Sequence, residues 1–156
     1  MLVMPAKVDM KKNAVIAVAV VAVVILAVVL VGGRSAEATL SPNPVTSNDA
    51  RFQFVASYGW EVVSSPAETS QVRIPANSSD VFARYNALQK SQGYDLSAYQ
   101  GKTVMRYVYK VKNYPGATEP VYATILISNN RVIGGDVTDT SATGVIQSFQ
   151  KPETKS

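Results

Sequence analysis

The sequence predicts an α+β domain carried behind one transmembrane helix, and three features predict it. Ala14 to Gly33 form 20 consecutive positions without a polar or charged side chain. Two later stretches place apolar residues at helical spacing between capping residues. Toward the C-terminus, three β-patterned segments are joined by short turns. Strands linked by hairpins pair antiparallel, so helices preceding them belong to an α+β fold. The expected domain has two helices packed on an antiparallel sheet of about five strands, in the order helix, strand, strand, helix, three-strand meander.

The apolar run comes first. A helix rises about 1.5 Å per residue, so 20 residues match a hydrocarbon core of roughly 30 Å. Lipid offers no partner for backbone amides, which forces a helix despite the many valines. Lys7, Lys11 and Lys12 precede the run, offset only by Asp9, and Glu37 soon follows Arg34. The positive-inside rule then keeps residues 1–13 in the cytoplasm and places everything after the 14–33 span outside the cell. A cleaved signal peptide is the competing reading, because Ala36-Glu37-Ala38 is an A-x-A pattern. Its apolar core would be shorter, about 7–15 residues, so an uncleaved anchor is expected.

Residues 34–47 are small and polar, with Pro42 and Pro44, and read as a linker. Residues 150–156 read as a tail. Between them, residues 48–149 carry nine basic and eight acidic side chains. The chain's net charge of +4 therefore sits mostly outside this domain. Nucleic-acid binding would need a basic domain face, and none is implied. The chain has no cysteine and no histidine. That excludes disulfides, thiolate and imidazole metal sites, a cysteine nucleophile and any Ser-His-Asp triad.

Within the domain, Thr46, Ser47 and Asn48 can cap a helix. Phe52, Val55 and Ala56 share one face of it and Gly59 follows, so a helix is expected over 48–58. Trp60 to Ser64 and Gln71 to Ile74 read as short strands, closed by Pro66 and Pro75. Asn77 to Asp80 are capping residues, and Val81, Phe82, Tyr85 and Leu88 then recur at helical spacing until Gly93. A helix over 79–92 follows. Thr103 to Val111 alternates as a strand, Val121 to Ser128 is nearly continuous apolar strand, and Arg131 to Thr138 pairs back across Asn129-Asn130.

The segment from Arg84 to Pro115, RYNALQKSQGYDLSAYQGKTVMRYVYKVKNYP, and Ile125 to Val137, ILISNNRVIGGDV, resemble a family of uncharacterised bacterial domains. These occur mainly in Gram-positive spore-forming lineages, typically after one N-terminal transmembrane segment. The resemblance covers Tyr58 to Val137. It is strongest at Tyr85-Asn86, Gln92 to Leu96, Gly101, Asn113-Tyr114-Pro115 and Gly134-Gly135-Asp136. It implies an architecture and brings no catalytic residues with it.

Candidate chemistry is sparse. Gly134-Gly135-Asp136, with Asp139 nearby, could cradle an anion or hold a hard cation. Ca²⁺ needs about six to eight oxygens, so a β-bulge or tight bend, with Asp136 bonded to local amides, is expected instead. Asp95 is expected to cap a short turn around Ser97 to Tyr99. Arg106, Lys110 and Lys112 form a basic stripe with Lys102 along one strand face, and Tyr94, Tyr99 and Tyr114 fall in loops where an aromatic ring can stack on a ligand. Arg106, Lys110, Lys112, Tyr94, Tyr99, Tyr114, Gly134, Gly135 and Asp136 are thus the candidate binding surface, with no catalytic, cofactor or metal residue expected.

The function this supports is a membrane-tethered, extracytoplasmic, non-enzymatic module that binds an envelope protein or polyanionic envelope component. The alternatives are an assembly subunit of a membrane complex, or an envelope enzyme using carboxylates or a Ser-Lys pair.

Overall fold

A computed structural model describes residues 44–152. The expected transmembrane run, most of the linker and the end of the tail lie outside the described residues. Among the described residues, no helix is long and apolar enough to cross a membrane.

Helix α1 (Asn48–Ala56) starts where Ser47 accepts a hydrogen bond from the Ala50 amide at 3.1 Å. This satisfies one of the donors a helix start leaves free. Helix α2 (Asp80–Ser91) starts in the same way at Ser79, bonded by the Phe82 amide. It ends at Gly93, whose φ of 87° suits glycine. There the Gly93 and Tyr94 amides close back on the Lys90 and Gln89 carbonyls, a Schellman ending. Asp95 then caps the 3₁₀ turn Leu96–Tyr99, as its position after Gly93 and Tyr94 predicts.

The strands are β1 (Glu68–Arg73), β2 (Thr103–Val111), β3 (Val121–Ser128), β4 (Arg131–Asp139) and β5 (Ile146–Gln147). They form one antiparallel sheet in the order β1-β2-β3-β4-β5. Asn129 and Asn130 take φ of 48° and 61°, the left-handed conformations a two-residue hairpin turn needs. The architecture is therefore the expected α+β arrangement of two helices on a five-stranded antiparallel sheet.

Three details depart from expectation. Trp60 to Ser64 forms no strand; it makes a single bridge, Val62 to Val111. The fifth strand is instead Ile146–Gln147, paired with Val137 and Thr138. Val45, expected in the linker, is buried, and its amide donates to the Asn130 carbonyl at 2.8 Å. The packed domain therefore includes Val45, ahead of the expected boundary at 48.

The two helices lie on opposite faces of the sheet. Alternation along β2 separates Tyr107 and Tyr109 from Val104, Arg106 and Val108. Arg51 of α1 donates to the Tyr109 hydroxyl and stacks over the Tyr107 ring at 3.9 Å. On the other face, Phe82 and Tyr85 of α2 pack with Val104, Leu126 and Ile133. A sheet covered on both sides buries consecutive residues, and so β3 and β4 are buried almost end to end. That explains the unbroken apolar character of Val121 to Ser128.

Candidate functional site

Strand register lines up Glu68, Val108, Thr124 and Asp136 across four strands on the α2 face. Asp136 is fully buried. Its carboxylate accepts hydrogen bonds from the Tyr85 hydroxyl at 2.8 Å and the Thr138 hydroxyl at 2.6 Å. Local amides take no part, contrary to the sequence expectation, because consecutive strand amides are committed to the ladder and point along the sheet. Burial pushes the Asp136 carboxyl above its usual range, against the pull of those two donors and of the Arg106 charge. Burial, and then the neighbouring Asp136 charge, push the Tyr85 phenol well above its own.

Arg106 belongs to the same layer and is not on an exposed basic stripe. It is 6% exposed, and its Nη1 donates to Glu68 Oε1 at 2.7 Å. Ser70 donates to the same oxygen at 2.8 Å. The alternation that placed Arg106 beside Lys110 is correct, but α2 and Glu68 cover the one and leave the other in solvent. A phenol, two carboxylates and a guanidinium are thereby gathered in one layer. Each makes a hydrogen bond to a neighbour, while Glu68 Oε2 has no hydrogen-bond partner among the described residues.

The remaining nominated residues divide. Lys110 and Lys112 are exposed. Tyr99 is half-buried, with the Lys102 ammonium 5.4 Å above its ring. Tyr114 is half-buried and stacks on Trp60 at 5.7 Å. Tyr94, expected in a ligand-facing loop, is only 4% exposed and belongs to the core, because the Schellman ending turns it inward. Burial and the adjacent Tyr58 push its phenol above the usual range. Asp95 is held below the carboxylate range, chiefly by the Asn86 side-chain amide and then by the Ser97 amide and hydroxyl. Asp136 and Asp139 stand three apart on one strand and so face opposite ways, which rules out a shared cation. Among the described residues no group of three or more acidic side chains is placed to hold a metal.

The glycine pair marks a second constellation. The ladder shifts register between Leu126 and Ile127, which makes Ile133 the extra residue of a bulge just before Gly134. A Cβ on Gly134 would stand 2.8 Å from Gln89 Oε1, and one on Gly135 would collide with the Thr124 carbonyl oxygen and the Phe149 ring. The expected close approach to α2 is therefore present at Gly134, whereas Gly135 is crowded by β3 and by Phe149 instead. Beyond β4 the next strand is only two residues long, and Gln89 of α2 and Gln92, its C-cap, complete the edge. Gly135 N–H donates to Gln89 Oε1 at 2.8 Å, and Gln92 Nε2 donates to the Gly135 carbonyl at 3.0 Å. Gln92 Oε1 in turn accepts from the Phe149 amide at 2.8 Å, and Trp60 Nε1 donates to the Phe149 carbonyl at 2.6 Å. The Phe149 ring is fully buried, edge-on to Phe54 and stacked on Tyr58.

Sequence reading did not single out Gln89 or Phe149, and it marked Gln92 only as part of the family resemblance, with no role at the β4 edge. The double glycine showed that something presses on β4, but the pressing groups come from 40 or more residues earlier and from a short segment near the C-terminus.

Residues 54–137 match the model of a family described as a domain of unknown function (DUF4830), and the chain belongs to this family. No curated protein and no solved structure matches the chain.

Proposed function

We propose that the chain is a membrane-tethered extracytoplasmic domain that works by binding at the cell envelope. The observation that carries this reading is the uncharged run from Ala14 to Gly33 behind three lysines, followed by a separately folded domain. Bacterial origin of the spore-forming type fits the same reading. A non-enzymatic role is supported by what the fold does with its candidate groups: Arg106 is paired with Glu68, Asp136 with Tyr85 and Thr138, and Asp95 with Asn86. The exposed Lys110 and Lys112 at the end of β2 offer a contact for an anionic envelope component.

A reporter active only outside the cell, fused after Ser156, should be active, and the chain should fractionate with membranes. A signal confined to the cytoplasm, or a soluble chain beginning near Thr39, would overturn the tether. For the contact, retention on phosphatidylglycerol vesicles should fall in the double variant Lys110→Ala, Lys112→Ala; unchanged retention removes this face from the proposal.

A further inference from the structure

We propose that the end of the sheet where the chain enters the domain faces the membrane, and that Arg73, Lys102 and Arg131 there contact the anionic phospholipid headgroups of the bilayer holding the anchor. The inference deepens the tether proposed above and rests on it. It names lipid as the ligand of this surface and says which way the domain points.

Two observations carry it. The first is the point of entry. Val45 is buried and its amide donates to the Asn130 carbonyl at 2.8 Å, so the chain joins the domain beside the β3–β4 turn. Only 11 residues, Arg34 to Pro44, separate this point from the apolar run. Fully extended, they reach at most about 40 Å. The β3–β4 end of the sheet is thus the end held nearest the headgroups. Lys110 and Lys112 lie roughly 30 Å away along β2, and reach the same bilayer only if most of that length is used up.

The second observation is the charge at this end. Arg73 closes β1 opposite Thr103, Lys102 immediately precedes β2, and Arg131 opens β4 opposite Ser128. Three strand spacings of about 4.8 Å put their backbones within about 15 Å of one another. All three side chains are exposed, and none is in an ion pair among the described residues. Of the acids nearby, Asp95 is paired with Lys90 at 3.4 Å. Asp80 sits in the first turn of α2, where the helix end favours a negative charge. At the opposite end, by contrast, Lys110 and Lys112 share the surface with the exposed Glu61 and Glu119. An anionic leaflet attracts basic residues only within about a Debye length, about 8 Å at physiological salt. Three unpaired cations at the tethered end are placed to use that attraction, and the tether supplies the effective concentration that makes weak single contacts count.

The test uses the full chain reconstituted into vesicles of phosphatidylcholine, with or without phosphatidylglycerol. The chain has no cysteine, so a single fluorophore can be placed by Asn77→Cys or by Ala117→Cys. Asn77 is exposed in the loop after β1, next to Ser78, which accepts from Gln100 near Lys102; Ala117 is exposed in the β2–β3 loop at the far end. A headgroup-linked quencher should quench the Asn77 label at least twofold more with phosphatidylglycerol than without, and the Ala117 label equally little in both. High salt should abolish the difference. So should the triple variant Arg73→Gln, Lys102→Gln, Arg131→Gln, whereas Arg73→Lys, Lys102→Arg, Arg131→Lys should keep it. Equal quenching in both lipids, equal quenching of both labels, or loss of the effect in Lys110→Ala, Lys112→Ala overturns the proposal. Should the triple glutamine variant fail to fold, the salt dependence of the unaltered chain decides. Flotation of the vesicles in high salt reads the anchor by itself. A chain that no longer floats overturns the tether and this inference with it, and a floating chain whose labels ignore phosphatidylglycerol overturns this inference alone.

Discussion

The two edges of the sheet meet the same hazard, a row of backbone groups left without a neighbouring strand, and meet it by different means. At β1 the edge stays open. Thr69, Gln71 and Arg73 face solvent, while Glu68 turns inward to Arg106. Charge on and just behind an edge strand discourages a foreign strand from pairing. At β4 the edge is sealed by packing: two glutamine amides stand in for a strand, and the Phe149 ring fills the space that Gly135 leaves free. An edge protected by charge tolerates change because water can take over most of its interactions. An edge sealed by packing does not, because its groups are buried against particular neighbours with no solvent to replace them.

The largest effect that sharpens this contrast is Gly135→Val. The new side chain must displace both the Thr124 backbone and the Phe149 ring. Over-packing and the loss of the ring together should cost on the order of 5 kcal/mol, enough to unfold a domain of ordinary stability. Thermal unfolding should show a missing or strongly lowered transition. A stable Gly135→Val domain would mean that β4 has room the structure does not show.

Phe149→Ala comes next. It removes a fully buried ring from between Phe54 and Tyr58, at about 3 kcal/mol. Urea denaturation should show a lower midpoint with a two-state transition retained. If the loss is only a few tenths of a kcal/mol, the seal at β4 contributes no more than the open edge does, and the contrast between the edges fails.

At the other edge, Glu68→Gln should cost about 1 kcal/mol. Arg106 loses its paired charge, but Glu68 is partly exposed and the amide oxygen can still accept a hydrogen bond. A loss as large as that of Phe149→Ala would show that Arg106 is held as a buried charge without access to water, and would make β1 as demanding as β4.

These two edges were not equally legible in the sequence. Ser47, Ser79, Gly93, Asp95 and the Asn129-Asn130 turn declare themselves because each acts on residues within a few positions. The strands β2, β3 and β4 were legible from their patterns. The pairing of Arg106 with Glu68 was not, since the partners are 38 residues apart and alternation reports a face without saying what covers it. The same limit hid the burial of Tyr94. The β4 seal was half legible. Gly134-Gly135 announced a close neighbour, but glutamines on a helix usually read as solvent-facing, and a two-residue strand leaves no period to detect. Trp60 to Ser64 misled in the opposite sense: its composition suits a strand, but β1 already pairs with β2 along 68–73 and leaves it only the Val62 bridge.

The smallest effect concerns pH, and it distinguishes a carboxylate inside the packed region from one at its surface. Asp136 sits in β4 with its folded-state pKa raised, mainly by burial. A raised pKa means that the protonated form is the better tolerated one. Its contribution is full below the unfolded-state value of about 4 and is lost as pH rises through the folded-state value. Asp95, exposed at the turn after α2, is shifted the other way by the Asn86 and Ser97 donors. Its contribution is full above about pH 4 and is lost as pH falls. Substituting asparagine at each position should therefore give melting-temperature differences of opposite slope. Relative to the unaltered chain, Asp136→Asn should gain as pH rises from 4 toward 7. Asp95→Asn should be at its worst near neutral pH and recover toward pH 2 to 3. Tyr85 and Thr138 can still bond an amide at 136, so the first variant keeps its geometry and reads the charge alone. If Asp136→Asn instead loses ground as pH rises, Arg106 and the two hydroxyl donors outweigh burial, and the charge at 136 supports the packed side of the sheet rather than straining it.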